Sequence, residues 1–598
     1  MAGFPPLKGN KEAIQWMRWD SRAFEVAQRE DKPVLLSITA VWCYWCQVME
    51  ETTFTDSEVI SYITDNFVPV QVDNDHRPDV NARYNVGGWP TTAFLNPHGG
   101  FMAGATYLPP DQLLAMLVEV KRAYDDDRAG LYDQAAQLHR QRQEYLGRVG
   151  AGPDLDHRLV DLTARRMCGV YDARNGGFGE EPKFPSAPIL QFIIHLYRVT
   201  GEEYYRAMLE KTLNALLSGE LFDGPEGGFF RYCAQGDWTE AQHEKMLEDN
   251  VRLARVFMDA SLLLGKEEFG TAASRTIDYL LANLADERSG GFRGSQGAHS
   301  DYFTLPQEAR HAGSAPPPDP FCYASWTSQA VSLLLEASWK LGRPELAARA
   351  VASLEGLHEI SRGFRLPHAF DEHGVISPQI PDDADFLGDW AGYLVALMDA
   401  NDYCADAGKY LQRAEAVAAH LDRVFLDNAR GAYFDIASDP DAAGYMRLRE
   451  KPLPENVQVA EGLLKLHHAT GDSSYRLRAE NVLRSYTEAN RDFGEHAASY
   501  AVAVDRFLHA PVEITIEGHA QSAEAAALAR AAARVGYPHV VIKRSVSSPG
   551  SEAMAHVCVD TLCYPPVSKP DDLAASVQEA LEGPANPAES IFERFVSF

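Results

Sequence analysis

The chain has 598 residues, with 55 Lys and Arg against 85 Asp and Glu and a formal net charge of −30. That excess of acid excludes a protein that coats duplex nucleic acid or lies on an anionic membrane, since both partners call for cationic side chains. A hydrophobic content of 45% and a charged content of 23% exclude wholesale disorder.

No run approaches the roughly 18 apolar residues of a membrane-spanning helix. The opening MAGFPPLKGN lacks the apolar core of a signal peptide, so a cytoplasmic location is expected. Eight cysteines in a chain of this length make no disulfide scaffold. In a reducing compartment they are expected to be free, metal-bound or catalytic.

Pattern divides the chain into 1–148, 150–510 and 511–598. In the first part a helix is predicted over 21–29 and a buried strand over the apolar run 33–39. Trp42-Cys43-Tyr44-Trp45-Cys46 then opens a helical segment. A helix over 55–66, a strand over 67–73 and a short helix after Pro78 follow. Strands at 91–95 and 101–107 are joined by the turn His98-Gly99-Gly100, and Pro109-Pro110-Asp111 opens one long amphipathic helix. This order predicts a small sheet with helices on both faces.

Helical periodicity dominates the second part. Twelve segments, near 154–171, 187–200, 203–219, 243–264, 268–285, 323–341, 344–361, 384–401, 407–425, 454–470, 473–490 and 494–509, make six pairs. Gly176-Gly177-Phe178, Gly227-Gly228-Phe229 and Gly290-Gly291-Phe292 punctuate them. Gly363-Phe364, Gly431-Ala432-Tyr433-Phe434 and Asp492-Phe493-Gly494 are looser copies. Recurrence at this spacing marks a repeated supersecondary unit. Six such hairpins close into an α/α barrel or continue as an open solenoid; the polar, aromatic-rich loops favour closure. The Pro-rich stretch 310–320 reads as a stiff connector. The third part reads as strand 512–516, helix 520–535, strands 539–543 and 555–560, and helix 571–581.

Cys43-x-x-Cys46 is the sharpest chemical signal. It lies between a buried strand and a helix, and unpaired N–H groups at a helix N-terminus favour thiolate over thiol. Such sites move a cysteine pKa from about 8.5 toward 7 or below. Cys43 is then the nucleophile and Cys46 resolves the mixed disulfide. Pro90, directly before a strand, is placed for a cis peptide facing the pair and for positioning substrate. Two blander readings compete: half of a zinc site completed by His76 or His98, and a thioredoxin-like shape kept without catalysis.

These residues, with Lys32-Pro33, Val72-Asp73, Arg77-Pro78-Asp79-Val80 and Gly87-Gly88-Trp89-Pro90, resemble a thioredoxin fold. Together with Pro182-Lys183-Phe184-Pro185, Phe230-Arg231-Tyr232, Glu244-Lys245-Met246-Leu247 and the pair Cys558 and Cys563 before Pro566-Val567, they resemble the YyaL-like, or spermatogenesis-associated protein 20, family. The resemblance implies a multidomain fold, α/β plus all-α: a thioredoxin-like domain, a six-hairpin (α/α)6 barrel and a small C-terminal α/β module. The chain departs from that family at Tyr44 and Gln47, where relatives usually carry His, which weakens a metal reading. Ser37 stands where many thioredoxins place a buried acid.

The barrel offers polar candidates in and beside its loops: Lys183, Arg231, Tyr232, Trp238, Glu244, Lys245 and Asp249. Asp385, Asp389, Trp390, Glu455 and Asn456 open later helices. Each has a bland alternative: Asp385 and Glu455 as helix caps, Glu244 and Asp249 as a solvated face, Arg231 as half of a local pair. Cys558 and Cys563 read as buried packing or as a dithiol, and Cys168, Cys233, Cys322 and Cys404 as packing. The leading expectation is a thiol-disulfide oxidoreductase whose barrel recognises a client or small metabolite. A carbohydrate-active isomerase, epimerase or hydrolase is the alternative, and a non-catalytic binding protein the third. No metal, cofactor, nucleic acid or membrane partner is expected.

Overall fold

The computed structural model describes residues 14–313, 315–361, 365–404, 407–519, 522–548 and 551–582. No helix among them is long and apolar enough to cross a membrane. The N-terminal domain is thioredoxin-like. It runs α1 (Ser21–Glu30), β1 (Val34–Thr39), α2 (Tyr44–Thr52), α3 (Ser57–Asn66), β2 (Val68–Asp73), α4 (Pro78–Tyr84), β3 (Thr91–Leu95), β4 (Phe101–Ala105), α5 (Pro110–Asp126) and α6 (Arg128–Leu146). The sheet order is β2-β1-β3-β4, with β1 parallel to β2 and antiparallel to β3. Strand alternation sends Val34, Leu36 and Ile38 into one core and Leu35 into the other, so β1 is buried on both faces. The single long helix expected after Pro110 breaks in two, because the Asp127 carboxylate accepts the Gly130 amide at 3.0 Å and starts a new helix.

The central region pairs α8 (Ala187–Thr200) with α9 (Glu203–Ser218) and α10 (Leu247–Leu264) with α11 (Glu267–Tyr279). Two short helices follow, α12 (Ser300–Phe303) and α13 (Gln307–Ala312). Next, α14 (Ala324–Lys340) pairs with α15 (Glu345–Ile360), α16 (Leu387–Tyr403) with α17 (Ala407–Val424), and α18 (Leu453–Thr470) with α19 (Ser473–Arg484). The final pair joins the ends of the region: α20 (His496–Leu508) packs on α7 (Arg158–Gly169). Helices α8, α10, α14, α16, α18 and α20 touch in sequence, and α20 returns to α8. The barrel is therefore closed, and the open solenoid is excluded.

The helix expected from 243 starts at Leu247. Before it lie the short strands β5 (Tyr232–Cys233) and β6 (Ala241–Gln242), which pair, and β7 (Lys245–Met246), which pairs with β8 (Ser295–Gln296) further along the chain. A further pair is β9 (Cys322–Tyr323) with β10 (Ala369–Phe370).

The loop repeat has a physical basis. The amides of Asp172, Asp223, Asp286 and Asp427 donate to Gly177, Gly228, Gly291 and Ala432, and the aromatic after each glycine motif bridges back. Gly177, at φ +87°, has the Trp238 ring where a Cβ would stand. Gly363-Phe364 falls outside the described residues. Asp492-Phe493 ends a 3-10 turn instead of a repeat loop, and the missing copy is Asp371 to Ile376, which lacks the aromatic signature.

The C-terminal module is β11 (Val512–Gly518), α21 (Ala523–Ala533), β12 (Val540–Val546), β13 (Met554–Val559), β14 (Leu562–Cys563) and α22 (Pro570–Glu582). Its order, β12-β11-β13-β14, and its pairing directions repeat those of the first sheet. The unforeseen β14 puts Cys563 opposite Cys558, and the two form a disulfide. The reading of this pair as buried packing is corrected: Cys563 is exposed at the sheet edge.

Candidate functional site

Cys43 caps α2. Its backbone is extended and its Sγ accepts the Cys46 amide at 3.2 Å. The strand-to-helix handover thus places it at the positive end of the helix dipole, as expected. Access is not as expected. Cys43 is 5% exposed and Cys46 2%, whereas Tyr44 and Trp45 between them are 46% and 48% exposed. The sulfurs face inward, in a cluster with Ala40, Trp42 and Met246, the last from β7 of the barrel. Burial, and then the Cys43 sulfur, push the Cys46 thiol up.

The Trp89–Pro90 peptide is cis, and Trp89 borders the same cluster, its ring 5.5 Å from Trp42. Arg231 reaches across from the barrel, its guanidinium 4.5 Å from the Trp42 ring and 5.4 Å from that of Trp89. Ser37 is buried on β1 and offers no carboxyl. The barrel supplies one instead. Glu244, between β6 and β7, is 5% exposed and meets the Tyr44 backbone amide at the start of α2. Burial raises its pKa, and its Oε2 has no hydrogen-bond partner. The reading of Glu244 as a solvated face is thereby corrected. Burial and then the Glu244 charge raise Tyr232, which also feels Cys43.

Four other candidates are scaffolding. Lys183 bonds Asp172 and Lys245 bonds Asp223, both at 2.5 Å, and each ammonium also donates to a loop carbonyl. Lys451 with Asp427 and Arg293 with Asp286 repeat the device in other hairpins. Asn456 clamps the Tyr433 amide and carbonyl as Asn250 clamps those of Phe229. Trp238 donates its indole N–H to the first glycine loop. A charge whose partners are all supplied by a repeated loop holds that loop.

At the barrel mouth, burial pushes Asp249 up to about 6 and Glu455 up to about 7, with Glu248 repelling both. Glu455 Oε2 lacks a partner. Neither Asp385 nor Glu455 is a cap: Asp385 accepts from the Trp390 indole and meets His420 Nε2 at 2.9 Å. Asp389 holds His368 Nδ1 at 2.9 Å, and His368 Nε2 reaches the Asp75 carbonyl at 2.8 Å, so this pair fastens the two domains.

Sequence reasoning missed an acidic seam there. Asp73 and Asp75 at the end of β2 face Asp319 of the barrel, and burial, followed by mutual repulsion, pushes all three up to about 7. The signal was present: Asp73-Asn74-Asp75-His76 is a polar cluster at the carboxyl end of a buried strand, where α/β sheets bind ligands. His76, offered as a zinc ligand, bonds Ser377 Oγ at 2.8 Å instead. Among the described residues, the groups close enough to share a metal ion gather around Asp505 and include neither cysteine.

Comparison with known proteins finds similarity along most of the chain. Residues 6–143 match the Thioredox_DsbH family model, described as a protein of unknown function, DUF255. The human protein named spermatogenesis-associated protein 20 is 23% identical, covering 94% of this chain and 89% of its own length. An uncharacterised Caenorhabditis elegans protein, B0495.5, is 29% identical over 81% of this chain and 70% of its own. A stretch of 95 residues, 14% of this chain, is 30% identical to 16% of the thiol:disulfide interchange protein DsbD of Yersinia pestis strain Pestoides F. Among solved structures, the cellobiose 2-epimerase of Spirochaeta thermophila is similar over 62% of this chain and 97% of its own, at 15% identity and a TM-score of 0.49.

Proposed function

We propose that this chain, a homologue of spermatogenesis-associated protein 20 along 94% of its length, is a thiol-disulfide oxidoreductase acting on a small disulfide at the junction of sheet and barrel. The observation that carries this reading is the roof: Arg231, Glu244 and Met246 of the barrel close over a helix-capping cysteine. The partial likeness to a thiol:disulfide interchange protein supports it. Cys43 thiolate attacks one sulfur of the substrate, forming a mixed disulfide and releasing the first thiolate. Cys46 then attacks the Cys43 sulfur, forming the Cys43–Cys46 disulfide and releasing the second. Two electrons pass from the protein to the substrate, and an external dithiol restores them. The Cys46 proton needs an acceptor, and with no acid at Ser37 this reading assigns it to Glu244, the buried carboxyl against the Tyr44 amide. With Cys43 only 5% exposed, this reading favours a compact disulfide over an extended protein strand.

The test mixes pre-reduced protein with 2-hydroxyethyl disulfide or with insulin in a single turnover. Two equivalents of 2-mercaptoethanol per chain are expected, with insulin at least tenfold slower and Cys43→Ser inert. Equal activity in Cys43→Ser, or an ordinary thiol pKa at Cys43, would end this reading.

A second reading is favoured by Asp249 and Glu455, two barrel carboxyls that burial pushes up to about 6 and about 7. Such a pair suits acid–base chemistry on a sugar, whether isomerisation, epimerisation or hydrolysis. Screening free sugars and glycosides against the protein and Glu455→Gln tests it, and absence of turnover removes it.

A further inference from the structure

Four imidazoles surround one carboxylate where the barrel meets the C-terminal module. Asp505 lies on α20, and His195 on α8 is 2.7 Å from its Oδ2. His539, on the turn entering β12, puts Nε2 3.3 Å from the same oxygen. His157 and His509 approach the other oxygen, Oδ1, at 3.7 and 3.4 Å. Four polar side chains from both ends of the barrel and from the module thus converge on a single acid.

Hydrogen bonding does not account for the arrangement. His539 is almost wholly buried, and neither of its ring nitrogens has an aligned partner; Nδ1 of buried His195 also lacks one. An orphaned buried polar atom keeps an uncompensated desolvation cost. His509 is different, since its Nδ1 is satisfied by the Asp505 carbonyl at 2.8 Å. The unmet capacity therefore collects on the imidazoles of His195 and His539, the two whose Nε2 atoms face Oδ2.

We propose that Asp505 Oδ2, His195 Nε2 and His539 Nε2 form a divalent transition-metal site, with zinc as the ion their chemistry fits best. Two imidazoles and one carboxylate are a three-ligand zinc set with an open fourth position. Bond lengths of about 2.0–2.1 Å put tetrahedral ligand atoms roughly 3.3 Å apart; Asp505 Oδ2 and His539 Nε2 stand at that spacing, and His195 Nε2, hydrogen-bonded to Oδ2 at 2.7 Å, draws back to admit an ion. All three donor atoms lie within 4.8 Å of one another. His157 meets the other carboxylate oxygen and so helps orient the ligand. Because the ligands come from α8, α20 and the turn before β12, a bound ion ties the module to the barrel.

The experiment uses the full chain carrying Cys43→Ser and Cys46→Ser, stripped with chelator, so that the dithiol cannot compete. It is titrated with Zn2+ by calorimetry and with Co2+ by visible absorption. One equivalent is expected, with a cobalt spectrum free of sulfur-to-metal charge transfer. Asp505→Asn and His539→Asn, close in volume to the originals, should each weaken binding at least 100-fold, and His556→Gln, on the same module beside Glu517, should not. No stoichiometric binding, a thiolate band, or Asn variants that bind like the parent would overturn the site. If both Asn variants fail to fold, the parent's stoichiometry and cobalt spectrum decide.

Discussion

The chain builds one sheet order twice, β2-β1-β3-β4 near its start and β12-β11-β13-β14 near its end. In both, the first strand hands the chain to a helix whose capping side chain accepts an amide three residues on. The cap is the sulfur of Cys43 in one and the hydroxyl of Ser522 in the other. The hydroxyl keeps the cap and removes the redox chemistry. The surroundings differ as well. The first sheet lies under Arg231, Glu244 and Met246, whereas the second packs on α14 and α16, with Arg544 4.5 Å over the Trp339 ring. Topology gives the same frame to both, and the cap and roof make one of them a site.

The largest expected effect breaks the roof. Arg83, with a fully buried side chain, bonds Asp435 at 2.7 Å and the Leu448 carbonyl at 2.9 Å across the domain junction. Breaking such a pair costs about 3–5 kcal/mol. Arg83→Ala should lower the urea midpoint accordingly and speed iodoacetamide alkylation of Cys43 at least tenfold. Unchanged alkylation would mean the barrel does not shield the thiol.

Next comes the proton carrier. Glu244→Gln should slow disulfide reduction about 100-fold, near 2.7 kcal/mol in barrier, with little loss of stability. Glu524→Gln, at the start of α21 in the second sheet, should leave the rate unchanged. Cys563→Ser opens the hairpin disulfide, whose short loop limits the loss to about 2 kcal/mol. Thiol exchange at Cys43 should not notice it.

The smallest effect is a slope. Asp73, Asp75 and Asp319 sit near 7 when folded, above an ordinary value of 3.8. The folded chain binds more protons there than the unfolded one. Their contribution is therefore present at acid pH and is lost as pH rises through 7. Asp319→Asn should flatten the fall in unfolding midpoint between pH 5 and 8. A slope equal to that of the parent would remove the acidic seam as its cause.

Much of the frame was legible in sequence because it rests on local pattern. Helical periodicity gave the paired segments, and a buried run ending in Cys43-x-x-Cys46 gave the first strand and helix. What stayed hidden depends on partners distant in the chain. Lys245 and Arg231 look alike as cations in loops, yet one is locked by Asp223 within its own hairpin and the other bridges to Trp42. Cys558 and Cys563 became a bridge through the register of a two-residue strand too short to announce itself. The burial of Cys43 follows from domain docking, which no local spacing records.

The Arg83–Asp435 contact spans 352 positions. At roughly 5–20 residues per second, Asp435 leaves the ribosome about 20–70 s after Arg83. During that interval the emerging first sheet stands without its lid. Its cysteine pair then meets solvent, oxidants and other nascent chains as an open thioredoxin-like module would, and the barrel, completed later, withdraws it from them.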